Sequence, residues 1–154
     1  MNIFNDLTNF YVIGISYKNA DLHTRGKFNL SKSQKIKILR KAKSFHINEI
    51  LINNTCNRTE IYSFAESSSV IVNLLCENSD GDHETFKQLG YVFENTEAIN
   101  HIFKVGTGLD SQILGDFEII GQLKNSFNLS KENQLIGSFM ERLTNSVIQA
   151  TKRI

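Results

Sequence analysis

Two short runs of alternating apolar and polar residues, 49–52 and 61–65, flank the stretch Asn53-Asn54-Thr55-Cys56-Asn57-Arg58-Thr59-Glu60. Period-two alternation on both sides predicts strand, turn, strand. A hairpin constrains a chain strongly, because its register fixes which side chains share a face. The turn carries a thiol, a guanidinium and a carboxylate within five residues: Cys56, Arg58 and Glu60. Reversal of the chain needs only Asn- or Gly-type turn chemistry. The added groups make this turn the place to look for chemistry.

The rest of the chain arranges itself around that hairpin. Residues 1–9 are polar and read as a frayed end. Residues 10–17 are apolar on both faces and read as a central strand. Residues 18–29 read as a polar loop carrying His23 and Arg25. Ser31 is an N-cap candidate for a helix reaching about Phe45, with Ile36, Leu39 and Ala42 on a narrow apolar stripe. Residues 67–69 cap a second helix over 70–77, with Ile71, Leu74 and Leu75 on one face. A loop over 79–83 and a short strand over 91–93 follow. The order strand, helix, strand, strand, helix, strand predicts an α+β fold over residues 1–94. In detail it predicts a ferredoxin-like split βαβ (βαββαβ) antiparallel sheet with helices on one face.

Residues 95–154 read as a helical extension. A helix begins at Thr96 and ends near Gly106–Gly108; others cover 111–114, 118–127 and 134–154, with breaks at Gly115 and at 128–133. The last helix has no stop signal, so the chain reads as cut from something longer.

Composition narrows the function classes. The 154 residues are 40% hydrophobic and 21% charged, enough for one soluble domain with a real core. A net charge of +1 offers no bulk attraction to nucleic acid or membrane. No apolar run approaches the roughly 18–20 residues that span a bilayer. No basic stretch precedes an apolar core at the N-terminus, so a cytoplasmic, membrane-free protein is expected. Two cysteines are no disulfide framework. His23, His46 and His83 have no second ligand at metal spacing, so no metal site is expected.

Cys56 stands beside Arg58, and a nearby cation favours a thiolate; the alternative is a small hydrophobe under the sheet. Cys76, among Val72, Leu74 and Leu75, reads as core. Arg58 and Glu60 are two apart, so on a strand they share a face. Arg58 can hold a carboxylate in a bidentate bond, or form a solvated cross-strand pair. His101 projects away from the stripe of Ile99, Ile102 and Phe103, so it does not read as a simple core histidine. Gly106-Thr107-Gly108-Leu109-Asp110-Ser111 lacks a dinucleotide fingerprint, a P-loop lysine and a preceding strand. It reads as a tight helix-to-helix joint.

These stretches together resemble the N-terminal catalytic domain of the glutamyl-tRNA reductase family. Residues 55–62, Thr-Cys-Asn-Arg-Thr-Glu-Ile-Tyr, match its Thr-Cys-Asn-Arg-x-Glu-(Ile/Leu)-Tyr motif. Residues 101–116, from His101 through Gly108-Leu109-Asp110-Ser111 to Leu114-Gly115-Asp116, are similar to its second motif. Ile120-Gly121-Gln122-Leu123-Lys124 and Gly14-Ile15-Ser16-Tyr17-Lys18 resemble two shorter ones. The chain departs from the family pattern at Tyr17, where His is usual, at Ala20-Asp21, where Ala-Pro is usual, and at Asp116-Phe117-Glu118, where Glu-Pro-Gln is usual.

The resemblance implies NADPH-dependent reduction of glutamyl-tRNA(Glu) to glutamate-1-semialdehyde, the first step of five-carbon tetrapyrrole synthesis. It implies that the Cys56 thiolate attacks the aminoacyl ester and leaves a glutamyl thioester, which NADPH reduces. Arg58 would hold the substrate carboxylate. Thr55, Asn57, Ser111, Asp116 and Gln122 would complete recognition, with His101 a polar neighbour of the reacting carbonyl. The NADPH-binding and dimerisation domains are expected outside this stretch, so the stretch alone should form the thioester only and be a monomer. Glutamate-1-semialdehyde aminomutase is an expected partner of the whole enzyme. In a structure, Cys56, Arg58, His101, Ser111 and Gln122 should line one pocket. The alternative from another class is a non-catalytic tRNA- or protein-binding module that uses the basic face of Lys32, Lys35, Lys37, Arg40, Lys41 and Lys43. A thiol acyltransferase or esterase is a third reading.

Overall fold

A computed structural model describes residues 9–110 and 118–152. Residues 1–8 of the expected frayed end, the helix over 111–114 and the break at Gly115 lie outside the described residues, while Asn9 already pairs with Ala65 in the sheet. Four strands, β1 (Asn9–Ser16), β2 (Ile50–Asn54), β3 (Arg58–Ala65) and β4 (Tyr91–Glu94), form one sheet in the order β2-β3-β1-β4. Every neighbouring pair is antiparallel. The fold is therefore mixed α/β with an antiparallel sheet.

Each crossover holds two helices where one is expected. α1 (Leu22–Phe28) and α2 (Lys32–Ser44) join β1 to β2; α3 (Ser68–Glu77) and α4 (His83–Leu89) join β3 to β4. The polar stretch 18–29 is thus a loop only in part. Asp21 accepts the backbone N–H of Thr24 at 2.8 Å, and Asp82 does the same for Thr85 at 2.6 Å. Each cap starts a helix too short to show an amphipathic repeat, but each delivers one buried ring, Phe28 and Phe86, which meet at 6.2 Å. Ser31 caps α2 as expected, in a reciprocal pair with Gln34.

The sheet is covered on both faces. Ile13, Ile15, Ile50, Ile52 and Ile61 point to one side, against Ile38, Leu39, Ile71 and Leu74 of α2 and α3. Phe10, Val12, Leu51 and Tyr62 point to the other. That second face is closed by the tail: α5 (Thr96–Gly106), α6 (Glu118–Glu132) and α7 (Ser138–Thr151) bring Ala98, Ile102, Leu123, Met140 and Val147 onto it. Helices on one face alone would have left these strand residues in water, at about 1.5–3 kcal/mol per large side chain.

The break in the tail comes later than its asparagines suggest. α6 continues through Asn128 to Glu132, and α7 begins at Ser138 rather than at 134. The intervening strap crosses the β2 edge, where Leu135 accepts the backbone N–H of Ile50 at 3.0 Å and sinks into the first core. Glu49 then takes the N-terminus of α7, accepting the N–H groups of Gly137 at 3.0 Å and Met140 at 2.8 Å. Gly137 lacks a capping side chain, so a carboxylate from the adjacent chain segment does its work. Glu49→Ala should therefore lower stability by about 1–2 kcal/mol. Chemical denaturation tests this; a change within 0.3 kcal/mol (roughly the scatter between independent sites) would mean water caps α7 equally well.

Candidate active site

The hairpin closes on a two-residue loop. Thr55 donates its N–H to the Arg58 carbonyl at 2.8 Å, and Cys56 and Asn57 form the tip. Asn57 donates its N–H to the Thr55 hydroxyl at 3.1 Å. The tip is tied to the β1–α1 segment, because Tyr17 N–H meets the Asn57 carbonyl at 2.9 Å and Arg25 Nε donates to the Cys56 carbonyl at 3.2 Å. These bonds hold the backbone of Cys56 while its side chain stands exposed. Cys76 is the opposite case: it is buried, and burial, followed by the charges of Asp82 and Glu77, pushes its thiol up to about 11. Only Cys56 is placed to meet a large substrate.

Strand parity sends Arg58, Glu60 and Tyr62 to the face that the tail covers. Glu60 has no exposure, and five side chains converge on it. Tyr62 donates to its Oε1 at 3.0 Å, and the Asn53 amide lies 3.4 Å from the same oxygen. Oε2 takes the Tyr91 hydroxyl, Nε2 of His101, and Nη1 of Arg58 at 3.5 Å. Gly14 sits opposite Glu60 in the sheet; a Cβ there would lie 2.8 Å from the Tyr91 hydroxyl and 2.9 Å from Cγ of Glu60. That glycine leaves room for the cluster.

His101 belongs to this cluster. The buried face of α5 is Ala98, His101, Ile102 and Val105, and the histidine is 9% exposed. The inward face is wider than the stripe: Ile102 lies at 0% exposure beside His101, and Ile99 and Phe103 pack partly buried at its edge, so the expectation that His101 turns away from the core is corrected. A carboxylate rising from the sheet demands donors, and His101 supplies one. Its ring also packs on Tyr91 at 5.3 Å and on Phe93 at 5.1 Å. Ionised Glu60 can only accept, so Nε2 carries the proton between them.

Arg58 is 4% exposed. Nη1 also meets Oδ2 of Asp110 at 2.9 Å, and Nη2 donates to the Asp110 carbonyl. The guanidinium lies 5.9 Å from the Tyr17 ring centre. It is neither a solvated pair nor a free cation. Burial opposes its charge, but Glu60, Tyr91 and Asp110 outweigh that and hold it fully protonated. Asp110 also pairs with Lys18. The sequence places Asp110 only in a helix-to-helix joint, and gives Tyr91 and Asn53 no part in the site. Parity could have placed Asn53, which lies across from Glu60 in the β2–β3 register.

Burial by itself would raise both carboxyls. For Glu60, the hydrogen bond and charge of His101 and the charge of Arg58 reverse this; for Asp110, Lys18 and Arg58 do. Both are held below the ordinary carboxylate range. A carboxylate depressed by folding stabilises the fold above its unfolded value, and that stability disappears as pH falls through the folded value. Stability should thus be flat from about pH 8 to 5 and decline below about pH 4. Denaturant midpoints measured across this range test it. Glu60→Gln should flatten the decline, and profiles that stay parallel would contradict the assignment.

The described residues around the tip enclose a pocket of about 60 Å³ lined by Asn53, Thr55, Cys56, Asn57, Arg58 and Gln122, with Val105, Glu118 and Ile119 opposite. Hairpin and tail therefore each supply one wall. His101 does not line it; it stands behind Glu60. Ser111 and Asp116 lie outside the described residues. Among the described residues no three His, Cys, Asp or Glu side chains gather as a metal site, and no helix is long and apolar enough to cross a membrane.

An exposed thiol on a braced hairpin tip, with a buried arginine–carboxylate cluster behind it, defines a mixed α/β domain built to present one cysteine. The family model described as "Glutamyl-tRNAGlu reductase, N-terminal domain" matches residues 13–154. The chain is 57% identical over 145 residues to glutamyl-tRNA reductase of Flavobacterium psychrophilum, covering 94% of this chain and 35% of that protein. It is 56% identical to that of Christiangramia forsetii, again over 94% of this chain and 35% of that one. The solved structure of glutamyl-tRNA reductase from Methanopyrus kandleri superposes with a TM-score of 0.78 at 21% identity, covering 94% of this chain and 33% of that one, and shows the same fold. The chain belongs to the glutamyl-tRNA reductase family. It spans about a third of the length of these relatives.

Proposed function

We propose that this chain carries out the acyl-transfer half of glutamyl-tRNA reduction, with Cys56 as nucleophile. The thiolate sulfur attacks the carbonyl carbon of the glutamyl ester. A carbon–sulfur bond forms, the bond to the ribose oxygen breaks, and that oxygen takes a proton from water and leaves as the ribose hydroxyl. The product is a glutamyl thioester, a better hydride acceptor than the ester it replaces. The observation that carries this reading is the contrast between an exposed Cys56 in a polar pocket and a buried Cys76.

Arg58 supports the same reading. Of its five N–H groups, Asp110 and Glu60 occupy three, leaving Nε–H and one Nη2–H without a partner among the described residues. These two donors suit the substrate carboxylate. Gln122, Thr55 and Asn57 line the same pocket and suit its remaining polar groups, and we extend that role to Ser111 and Asp116 on the family resemblance. His101 acts in this reading as a positioning residue: it braces Glu60, which in turn holds Arg58.

The sheet order, with β1 and β3 central, supports a split βαβ unit of the ferredoxin-like kind, each crossover widened by one helix. We take residues 1–94 and 95–154 as the two parts of one catalytic unit, since the pocket draws on both. Reduction by NADPH, dimerisation and work beside an aminomutase are proposed for the whole enzyme. The glycines at 106 and 108 end a helix and do not lie between a strand and a helix, so they do not fit a dinucleotide. We place hydride transfer outside these residues.

Incubation with tRNA(Glu) charged with labelled glutamate tests the proposal. Label should remain on denatured protein, persist in Cys76→Ser and vanish in Cys56→Ser. Folded wild-type protein that takes no label would overturn it.

A further inference from the structure

We propose that the cleft between α2 and α6 binds the single-stranded 3′ end of the acyl-carrying RNA, with Lys32 and Lys35 on its phosphates and the amides of α6 on its sugars and base edges. The proposal rests on the acyl-transfer reading and adds where the leaving group lies. The cleft measures about 470 Å³, inside the roughly 300–1,000 Å³ of small-ligand sites. It adjoins the thiol pocket, because Gln122 lines both. Asn54, one residue before Thr55, lines it as well. A chain leaving an ester held beside Cys56 can pass Gln122 and Asn54 into this cleft.

Two lysines, a row of amides and one carboxylate, Glu132, line the cleft, and the lysines and amides suit a nucleic-acid strand. Lys32 and Lys35 stand in the first turns of α2, whose N-terminal end adds positive potential. Neither lysine has an ion-pair partner among the described residues. Lys35 is half-buried, and that burial lowers its amine from the ordinary value. An unpaired, partly desolvated ammonium calls for an anion. Across the cleft, Gln122, Asn125 and Asn128 repeat every three residues along α6, and their side-chain amides have no partner among the described residues. Amides that donate and accept are suited to sugar hydroxyls and base edges. Ile52 and Leu129 give an apolar floor for a base face. A net charge of +1 conceals this local pairing of charge with amides.

Fluorescence anisotropy tests the proposal. The protein is titrated into a labelled single-stranded RNA carrying the 3′-terminal acceptor sequence, at several salt concentrations. Binding should weaken with salt, and K32Q/K35Q should weaken it roughly tenfold and reduce the log–log salt slope by about 1.4, or 0.7 per lost phosphate contact. Asn128→Ala should weaken binding with the slope unchanged. K41Q/K43Q, at the far end of α2, should bind as wild type does. Equal binding by K32Q/K35Q, or an equal loss in K41Q/K43Q, would overturn the proposal. Displacement of the RNA by NADPH as effective as by unlabelled RNA would assign the cleft to a dinucleotide and overturn it as well. Wild-type protein is also exposed to a small glutamyl ester without RNA. Failure of Cys56 to acylate there would overturn the acyl-transfer reading, while anisotropy still reports on the cleft.

Discussion

Glu60→Ala should remove about 3–5 kcal/mol of folding stability, the range for breaking one side of a buried ion pair. Glu60 is fully buried and receives Tyr62, Tyr91, His101, Asn53 and Arg58. Its removal leaves a cavity in the middle of the sheet face and several donors with no acceptor. Each orphaned neutral donor costs about 1–3 kcal/mol, less where it can reach water. Arg58 keeps Asp110, which is why the loss stays within the stated range. Glu60→Gln preserves volume and one acceptor oxygen, but turns an amide N–H toward donors, so about 2 kcal/mol is expected. Thermal unfolding should show Glu60→Ala more than about 8 °C below wild type for a domain of this size. A loss under 1 kcal/mol would mean that the cluster is open to water.

Cys56→Ser should do the reverse: leave the fold intact and abolish acyl transfer. The side chain is exposed on a loop tip, so stability should change by less than about 0.5 kcal/mol. A serine hydroxyl is almost wholly protonated near neutral pH and is a far weaker nucleophile than a thiolate. The rate of acyl transfer should fall on the order of 10³-fold or more. Cys76→Ser places a hydroxyl in an apolar site and should cost stability, about 1–2 kcal/mol, with acyl transfer retained. A single-turnover assay beside an unfolding curve separates the two.

The strands and the longer helices were legible because burial writes itself into period. Residues 10–17 are apolar on both faces, and β1 is central and covered twice. The short helices α1 and α4 were not legible, since each has seven residues and buries one ring. The second covered face was hidden too, because Phe10, Val12, Leu51 and Tyr62 declare burial but not which element buries them. In the site, parity put Arg58 and Glu60 on one face, and that is where they stand. It could not show that Asp110, 52 residues from Arg58, closes on the guanidinium. His101 failed for a physical reason: helical periodicity counts apolar residues, and the inward face of α5 carries a polar side chain to meet a buried carboxylate.

The central claim is that Cys56 accepts the acyl group, and peptide mapping by mass spectrometry tests it most directly. Wild-type protein is mixed with glutamyl-tRNA(Glu) without reductant, quenched in acid and digested. The account predicts a glutamyl adduct on the peptide containing Cys56, released by hydroxylamine as a thioester must be. An adduct on Cys76 or on a hydroxyl side chain, with Cys56 unmodified, would contradict it.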